Sequence, residues 1–164
     1  MTIKQGWRGR VYEDFDVGDI YPHPLGRTIT SADNIWFTNM TMNPNPIHLD
    51  RAYAAQTEFG RPLVNSTFTL ALVTGLSVSD VSQNAINLGW DEVRMPAPVF
   101  EGDTIYARSE VLDKRESKSR PKMGIVRVKT IGLNQDGVTV LEFKRTIMVY
   151  KRGQGPRNLV YNPV

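Results

Sequence analysis

Alternation of apolar and polar side chains runs through parts of the second half of this chain. Ile125-Val126-Arg127-Val128-Lys129-Thr130-Ile131 and Phe143-Lys144-Arg145-Thr146-Ile147-Met148-Val149 each read as a strand with one face buried and one wet. Strands are predicted over 87–93, 103–114, 124–133 and 138–151, with Gln135-Asp136-Gly137 as the hairpin turn between the last two. The first half carries the longer period of helices. Thr30-Ser31-Ala32-Asp33 supplies an N-cap with an acid three residues on, and Ile35, Trp36, Phe37 and Met40 follow at helical spacing until Pro44 stops the run. Asp50 caps a short helix over 51–57, which the turn Phe59-Gly60-Arg61-Pro62 closes. The stretch 65–79 has apolar residues on nearly every side and little charge, so a buried helix capped by Asn65 or Ser66 is predicted. Ahead of these, a Gly18-Asp19 turn leads into an extended segment over 20–29, broken by Pro22 and Pro24 and so read as an edge strand. Helices early and antiparallel strands late predict an α+β fold, a meander-like antiparallel sheet packed on one long apolar helix. The tail 153–164 is read as irregular.

Composition narrows the possibilities. The chain has 164 residues, 40% hydrophobic and 23% charged, which suits a single domain over 1–164 able to bury roughly 70% of its unfolded surface. Cysteine is absent, which excludes disulfides, thiol nucleophiles and thiolate metal sites. The N-terminus lacks a signal-peptide apolar core, and no apolar run approaches the roughly 20 residues of a membrane span, so a cytoplasmic protein without a membrane partner is expected. A net charge of +3 suits an anionic ligand, although the cations are spread along the chain. No aromatic-interleaved basic strand accompanies them, so no nucleic-acid partner is expected. His23 and His48 show no paired ligand spacing, and no metal site is expected.

Candidate chemistry gathers on Thr41-Met42-Asn43-Pro44-Asn45-Pro46-Ile47-His48. Pro44 and Pro46 fix their own φ and push Asn43 and Asn45 toward extended geometry, so His48 sits on a stiff loop between two predicted helices. Imidazole exchanges protons near neutral pH in both directions, and a stiff loop suits a proton carrier.

Asn43-Pro44-Asn45-Pro46-Ile47-His48, followed by Ala52-Tyr53-Ala54-Ala55, Phe59-Gly60-Arg61-Pro62-Leu63-Val64 and Pro98-Val99-Phe100-Glu101-Gly102-Asp103-Thr104, resembles the MaoC-type acyl dehydratases and (R)-specific enoyl-CoA hydratases. The similarity runs over about residues 12–151 and is greatest toward the mesaconyl-CoA and methylmalyl-CoA dehydratase branch. It implies a hot-dog fold, an antiparallel sheet wrapped around one helix. It also implies a homodimer or higher assembly, an acyl-CoA thioester as substrate, no cofactor beyond that coenzyme A, and addition or removal of water across the 2,3 double bond. The family signature is Asp, any residue, Asn, Pro, an aliphatic and His. Its histidine falls on His48 and its aspartate on Asn43, an amide that cannot accept a proton near neutral pH. The resemblance therefore implies His48 as proton carrier and Asn43 as a group that positions water. Asn45 belongs to the same signature. The family's histidine-glycine pair falls on Asn65-Ser66, which implies thioester-binding backbone donors near Ser66 and Thr67 at the start of the apolar helix.

Plainer readings stand beside these. His48 can be a loop histidine bonded to backbone, and Asn43 and Asn45 can be turn residues. Arg61 and Arg94 can meet a carboxylate on a dicarboxylic acyl group or pair with acidic neighbours. Asp33 and Asp50 read as caps, and Glu58 as a surface charge that is the first to test as a substitute acid. The segment 114–122, with five cations in nine positions, is either a solvated loop or a contact for the phosphates of coenzyme A. Three activities are compatible with the resemblance: hydration or dehydration of an acyl-CoA, binding of an acyl-CoA without hydration, and thioester hydrolysis.

Overall fold

The computed structural model describes Lys4 and residues 6–156; residues 157–164 of the predicted tail lie outside the described part. Six strands form the sheet: β1 Ile20–Pro22, β2 Arg27–Thr28, β3 Ala85–Arg94, β4 Thr104–Glu116, β5 Met123–Leu133 and β6 Thr139–Tyr150. Their order is β1-β4-β5-β6-β3, with β2 also on β4, and every pairing is antiparallel. Only β4, β5 and β6 make a meander. β3 precedes them in sequence yet lies on the far side of β6, so the meander expectation is corrected by one crossover.

The expected edge strand over 20–29 is two short pieces, both paired with β4. Pro22 and Pro24 supply no ladder donors, and after His23, whose N–H still donates to Ala107 O at 3.0 Å, the segment leaves the ladder until Arg27. The β5–β6 hairpin turns as predicted, with Asn134 Oδ1 accepting the N–H groups of Asp136 and Val138 at 3.0 and 2.9 Å and Gly137 at φ 74°.

Three helices precede or follow the site segments: α1 Ser31–Met40, α2 Arg51–Ala54 and α3 Ser66–Leu76. The capping box of α1 is formed, since Thr30 Oγ1 accepts Asp33 N–H at 3.2 Å and Asp33 Oδ2 accepts Thr30 N–H at 2.8 Å. α2 is shorter than predicted because its bonding tightens after Ala55, where Gln56 and Thr57 donate to Tyr53 and Ala54 rather than one residue further back. α3 ends at Leu76 rather than Ser79, and a π turn over Val78–Ser82 follows.

α3 is the helix that the sheet wraps, the hot-dog arrangement. Gly132 of β5 permits the approach: a Cβ there would stand 2.7 Å from Val73 Cγ2. Val73, Ile105, Leu141 and Phe143 form the core between helix and sheet. A second cluster, around Phe15, Val81, Val126, Val128 and Ile147, fills the other end. One expectation about α3 is corrected. Of its residues only Thr69 and Val73 are buried, while Ser66, Thr67, Ala71 and Gly75 are exposed. One sheet covers one side of a helix, and a single chain offers no second layer for the other side.

A polar chain crosses the second cluster. His23 is buried, with Nδ1 3.0 Å from Asp80 Oδ2 and Nε2 2.9 Å from Ser109 Oγ, which is in turn 2.9 Å from Thr130 Oγ1. Burial pushes the His23 imidazole below its ordinary value and outweighs the opposing pull of Asp80. A lowered folded-state value means that the fold favours neutral His23. Its contribution is complete above the unfolded value, about 6.5, and is lost as pH falls through that value and the chain gains a proton on unfolding. Thermal unfolding followed by circular dichroism should therefore show Tm falling from about pH 7.5 to about pH 5.5, with a shallower slope in His23→Gln. An unchanged slope in that variant would assign the acid sensitivity to other groups.

Candidate active site

The end of α1 sets the site loop. Met42 N–H donates to Asn39 O at 3.0 Å and Asn43 N–H to Thr38 O at 3.1 Å, the paired bonds of a Schellman C-cap. That motif places Met42 in the left-handed region at φ 53°, where glycine is the usual occupant. The chain then turns away from α1 with Asn43 as its first residue. Asn43 Oδ1 accepts Asn45 N–H at 3.0 Å, and Asn45 Oδ1 accepts Ile47 N–H at 3.1 Å. Both asparagines thus act as turn residues, as the plainer reading held, and Asn45 caps the one-turn 3-10 helix Pro46–His48.

His48 closes that turn, 9% exposed. Its Nδ1 is 2.9 Å from the carbonyl oxygen of Leu63. A carbonyl only accepts, so Nδ1 carries the hydrogen in the neutral ring and Nε2 keeps the lone pair. The geometry presents one basic nitrogen, with its tautomer set by the backbone.

Leu63 belongs to the segment that joins the two halves of the predicted signature. Its N–H donates to Ile47 O at 3.1 Å, it forms an antiparallel bridge with Phe100, and Val64 N–H donates to Val99 O at 2.9 Å. The stretches 43–48 and 98–104, distant in sequence, therefore meet on either side of 63–64. Gly102 and Asp103 serve the turn itself: Gly102 has φ 95°, and Asp103 Oδ2 accepts Phe100 N–H at 2.8 Å.

Sequence reasoning missed Asn34. It is 0% exposed on α1, with Nδ2 3.3 Å from His48 O and 3.1 Å from Leu63 O, and Oδ1 accepting Asn65 N–H at 2.9 Å. The one local signal was a carboxamide at i with Thr38 at i+4, which shares a helix face with it. Thr38 is also buried, and its Oγ1 accepts from Asn65 Nδ2 at 3.3 Å.

Asn65 caps α3, accepting both Thr67 N–H at 3.0 Å and the Thr67 hydroxyl at 2.7 Å. The Thr67 N–H is thereby occupied, so of the two expected backbone donors only Ser66 N–H makes no hydrogen bond among the described residues.

Arg61 stands apart from this network. Its guanidinium lies 3.9 Å from the Phe100 ring centre, in an open cleft of about 320 Å³ lined also by Arg51, Gly60, Pro62 and Glu101. Arg51 approaches Glu101 at 3.8 Å, whereas Arg61 meets no carboxylate among the described residues. Arg94 takes the plainer role, 3.9 Å from Glu142. Asp50 caps α2 by accepting Tyr53 N–H at 3.0 Å, and Glu58 is exposed with no hydrogen bond or ion pair to the His48 loop among the described residues. Lys114 and Arg115 fall on β4, and Lys114 is bound to Phe15 O and lies 3.8 Å from Asp16. No group of three or more His, Asp or Glu is gathered for a metal among the described residues, and no helix there is long and apolar enough to cross a membrane.

Residues 15–133 match the MaoC like domain family. The chain belongs to that family. The MaoC-like chain is 34% identical to a mesaconyl-CoA hydratase of Cereibacter sphaeroides over 88% of its own length and 42% of the relative's. It is 35% identical to an (R)-specific enoyl-CoA hydratase of Aeromonas caviae, over 57% of this chain and 70% of that one. A MaoC domain protein from Chloroflexus aurantiacus superposes with a TM-score of 0.87 at 32% identity, over 99% of this chain and 47% of that one. The MaoC-like chain thus spans less than half the length of the mesaconyl-CoA hydratase.

The strained residue before Asn43 gives a direct test of the loop's construction. Met42 is 88% exposed, so replacing it removes little packing. Met42→Gly should stabilise the fold by about 0.5–1 kcal/mol, the relief of a left-handed side chain less the entropy of a freer unfolded chain. Urea unfolding checks it; a loss of stability would show that the methionine side chain holds the loop.

Proposed function

We propose that the chain is an acyl-CoA hydratase or dehydratase in which His48 carries the proton. The observation that supports this most is the His48 Nδ1–H bond to Leu63, which leaves the Nε2 lone pair free on a loop that keeps the Asn, Pro, aliphatic and His of the family signature, though not its Asp. In the hydration direction, Nε2 takes a proton from water as the water oxygen bonds to the β-carbon of the enoyl thioester. The electron pair of the double bond moves onto the thioester as an enolate, and the imidazolium then returns the proton to the α-carbon, so that one water is added in all. In this reading the Ser66 N–H, at the first turn of α3, donates to the enolate oxygen. Asn43 orients the water: its bond to Asn45 N–H uses one lone pair of Oδ1 and leaves the other and the amide hydrogens.

The substrate class is an enoyl-CoA, including methyl-branched dicarboxylic groups such as mesaconyl-CoA, in keeping with the activities named for two relatives. Arg61, open in its cleft, is the cation available to an anionic part of such a ligand. The reading needs no cofactor beyond the coenzyme A of the substrate, and coenzyme A thioesters as substrates favour a cytoplasmic setting. It takes the domain to work as a dimer, because the uncovered face of α3 carries Ala71 and Gly75, which a second copy can pack against.

Crotonyl-CoA and mesaconyl-CoA are the substrates to assay, following the conjugated thioester absorbance with free thiol measured in parallel. Loss of absorbance without thiol is expected, and His48→Ala should reduce turnover roughly 10²–10⁴-fold. Thiol release would mean hydrolysis instead, and full turnover in His48→Ala would remove His48 from the chemistry.

Asn43 favours a second reading, an acyl-CoA binder that does not hydrate, since no carboxylate shares the loop with His48. Asn43→Asp separates the two. A native protein that binds but turns over neither thioester, with activity appearing in Asn43→Asp, supports the binder; a native protein already active shows that the carboxylate is dispensable.

A further inference from the structure

We propose that Asn34 is a positioning residue for His48 and for the start of α3, acting through the Leu63 carbonyl; this rests on the reading of His48 as proton carrier. Asn34 lies on α1 and touches neither the Nε2 face of His48 nor the Ser66 N–H, yet its single carboxamide binds both segments that carry them, at His48 and at Leu63 and Asn65.

The orientation of the amide follows from its partners. Asn65 N–H can only donate, so the atom facing it at 2.9 Å is Oδ1, and Nδ2 must face the carbonyls of His48 and Leu63. A carbonyl oxygen has two lone pairs. At Leu63 one accepts the His48 Nδ1–H at 2.9 Å and the other the Asn34 Nδ2–H at 3.1 Å. Asn34 therefore holds the acceptor that selects the tautomer of His48. Through the His48 carbonyl it also holds the backbone of the same residue, and through Asn65 it sets where α3 begins.

Packing alone does not call for this residue. The position is fully buried on a helix face where leucine would fill the space but leave the Asn65 N–H unpaired. What an amide adds is direction, with two donors and one acceptor aimed at three backbone groups, one on the His48 loop and two on the segment 63–65. Displacement of a proton carrier by about 1 Å can cost on the order of 100-fold in rate, while the binding of a distant part of the substrate is little changed. The signature of Asn34 should accordingly fall on kcat.

The test uses Asn34→Ala and Asn34→Asp, the second preserving shape but replacing both donor hydrogens by an acceptor. Each is made alone and with His48→Ala, and each is assayed on crotonyl-CoA or mesaconyl-CoA, with thermal unfolding as the check on folding. Expected are a fall in kcat of about 10- to 100-fold with KM within about threefold, and little or no further loss when the change is added to His48→Ala. Nitrogen NMR of the two labelled histidines, assigned with His48→Ala, should show the Nδ1–H tautomer of His48 in the native protein and a mixture of tautomers in the variants. A loss that multiplies unchanged in the His48→Ala background, a loss confined to KM, an unaltered tautomer, or loss of cooperative unfolding in both variants would each overturn the proposal. Unaltered turnover in His48→Ala alone would instead overturn the reading on which it rests, and the tautomer measurement stands without any turnover.

Discussion

One carbonyl oxygen carries the organisation of this site. Leu63 O accepts from the His48 ring and from Asn34, while the peptide on its other side donates to Ile47 and the residue itself bridges to Phe100. A buried carbonyl with both lone pairs filled has little freedom to rotate, because any turn would leave two donors unpaired, each costing about 1–3 kcal/mol in the interior. The imidazole thus takes its orientation from the peptide plane of a residue fifteen positions away in sequence.

The sheet supports that peptide plane indirectly. Val64 bonds to Val99, Gly102 to Ile29, and Ile29 and Val99 are packed in the same core as Val73 of α3. Gly132 lets the helix settle close enough for this core to close. Val73, which meets Gly132, lies on the helix that Asn65 caps, and the Asn65 N–H bonds to Asn34, so the packing beneath α3 is joined to the His48 network.

How much of this was legible depended on range. The capping box of Thr30 and Asp33, the stop before Pro44, the turn at 135–137 and the stiff loop carrying His48 are local, and local chemistry in the sequence marks each of them. The family motifs added the fold and the site loop. What could not be read were relations across the chain. Nothing in 85–94 says that this strand sits beyond β6, because alternation gives a strand its faces and not its neighbour. The all-round apolar character of 65–79 correctly marked the central helix but overstated its cover, since hydropathy along a helix does not tell how many of its sides a layer packs against. Asn34 was invisible for a different reason. A single carboxamide in a helix looks like any surface asparagine until its partners are placed, and they come from residues 48, 63 and 65.

The polar chain through the second cluster bears on how such folds are to be interpreted. Ser109, His23 and Asp80 stand in the hydrogen-bonded order of a hydrolase triad, with hydroxyl, imidazole and carboxylate at 2.9 and 3.0 Å. The serine, however, is fully buried, and its oxygen also contacts Thr130. An acyl carbon has no approach to that hydroxyl, so the arrangement joins the segment after β1, β4, β5 and the turn after α3 instead of making an ester. Distance alone would assign thioesterase chemistry to a serine that the fold seals from any substrate.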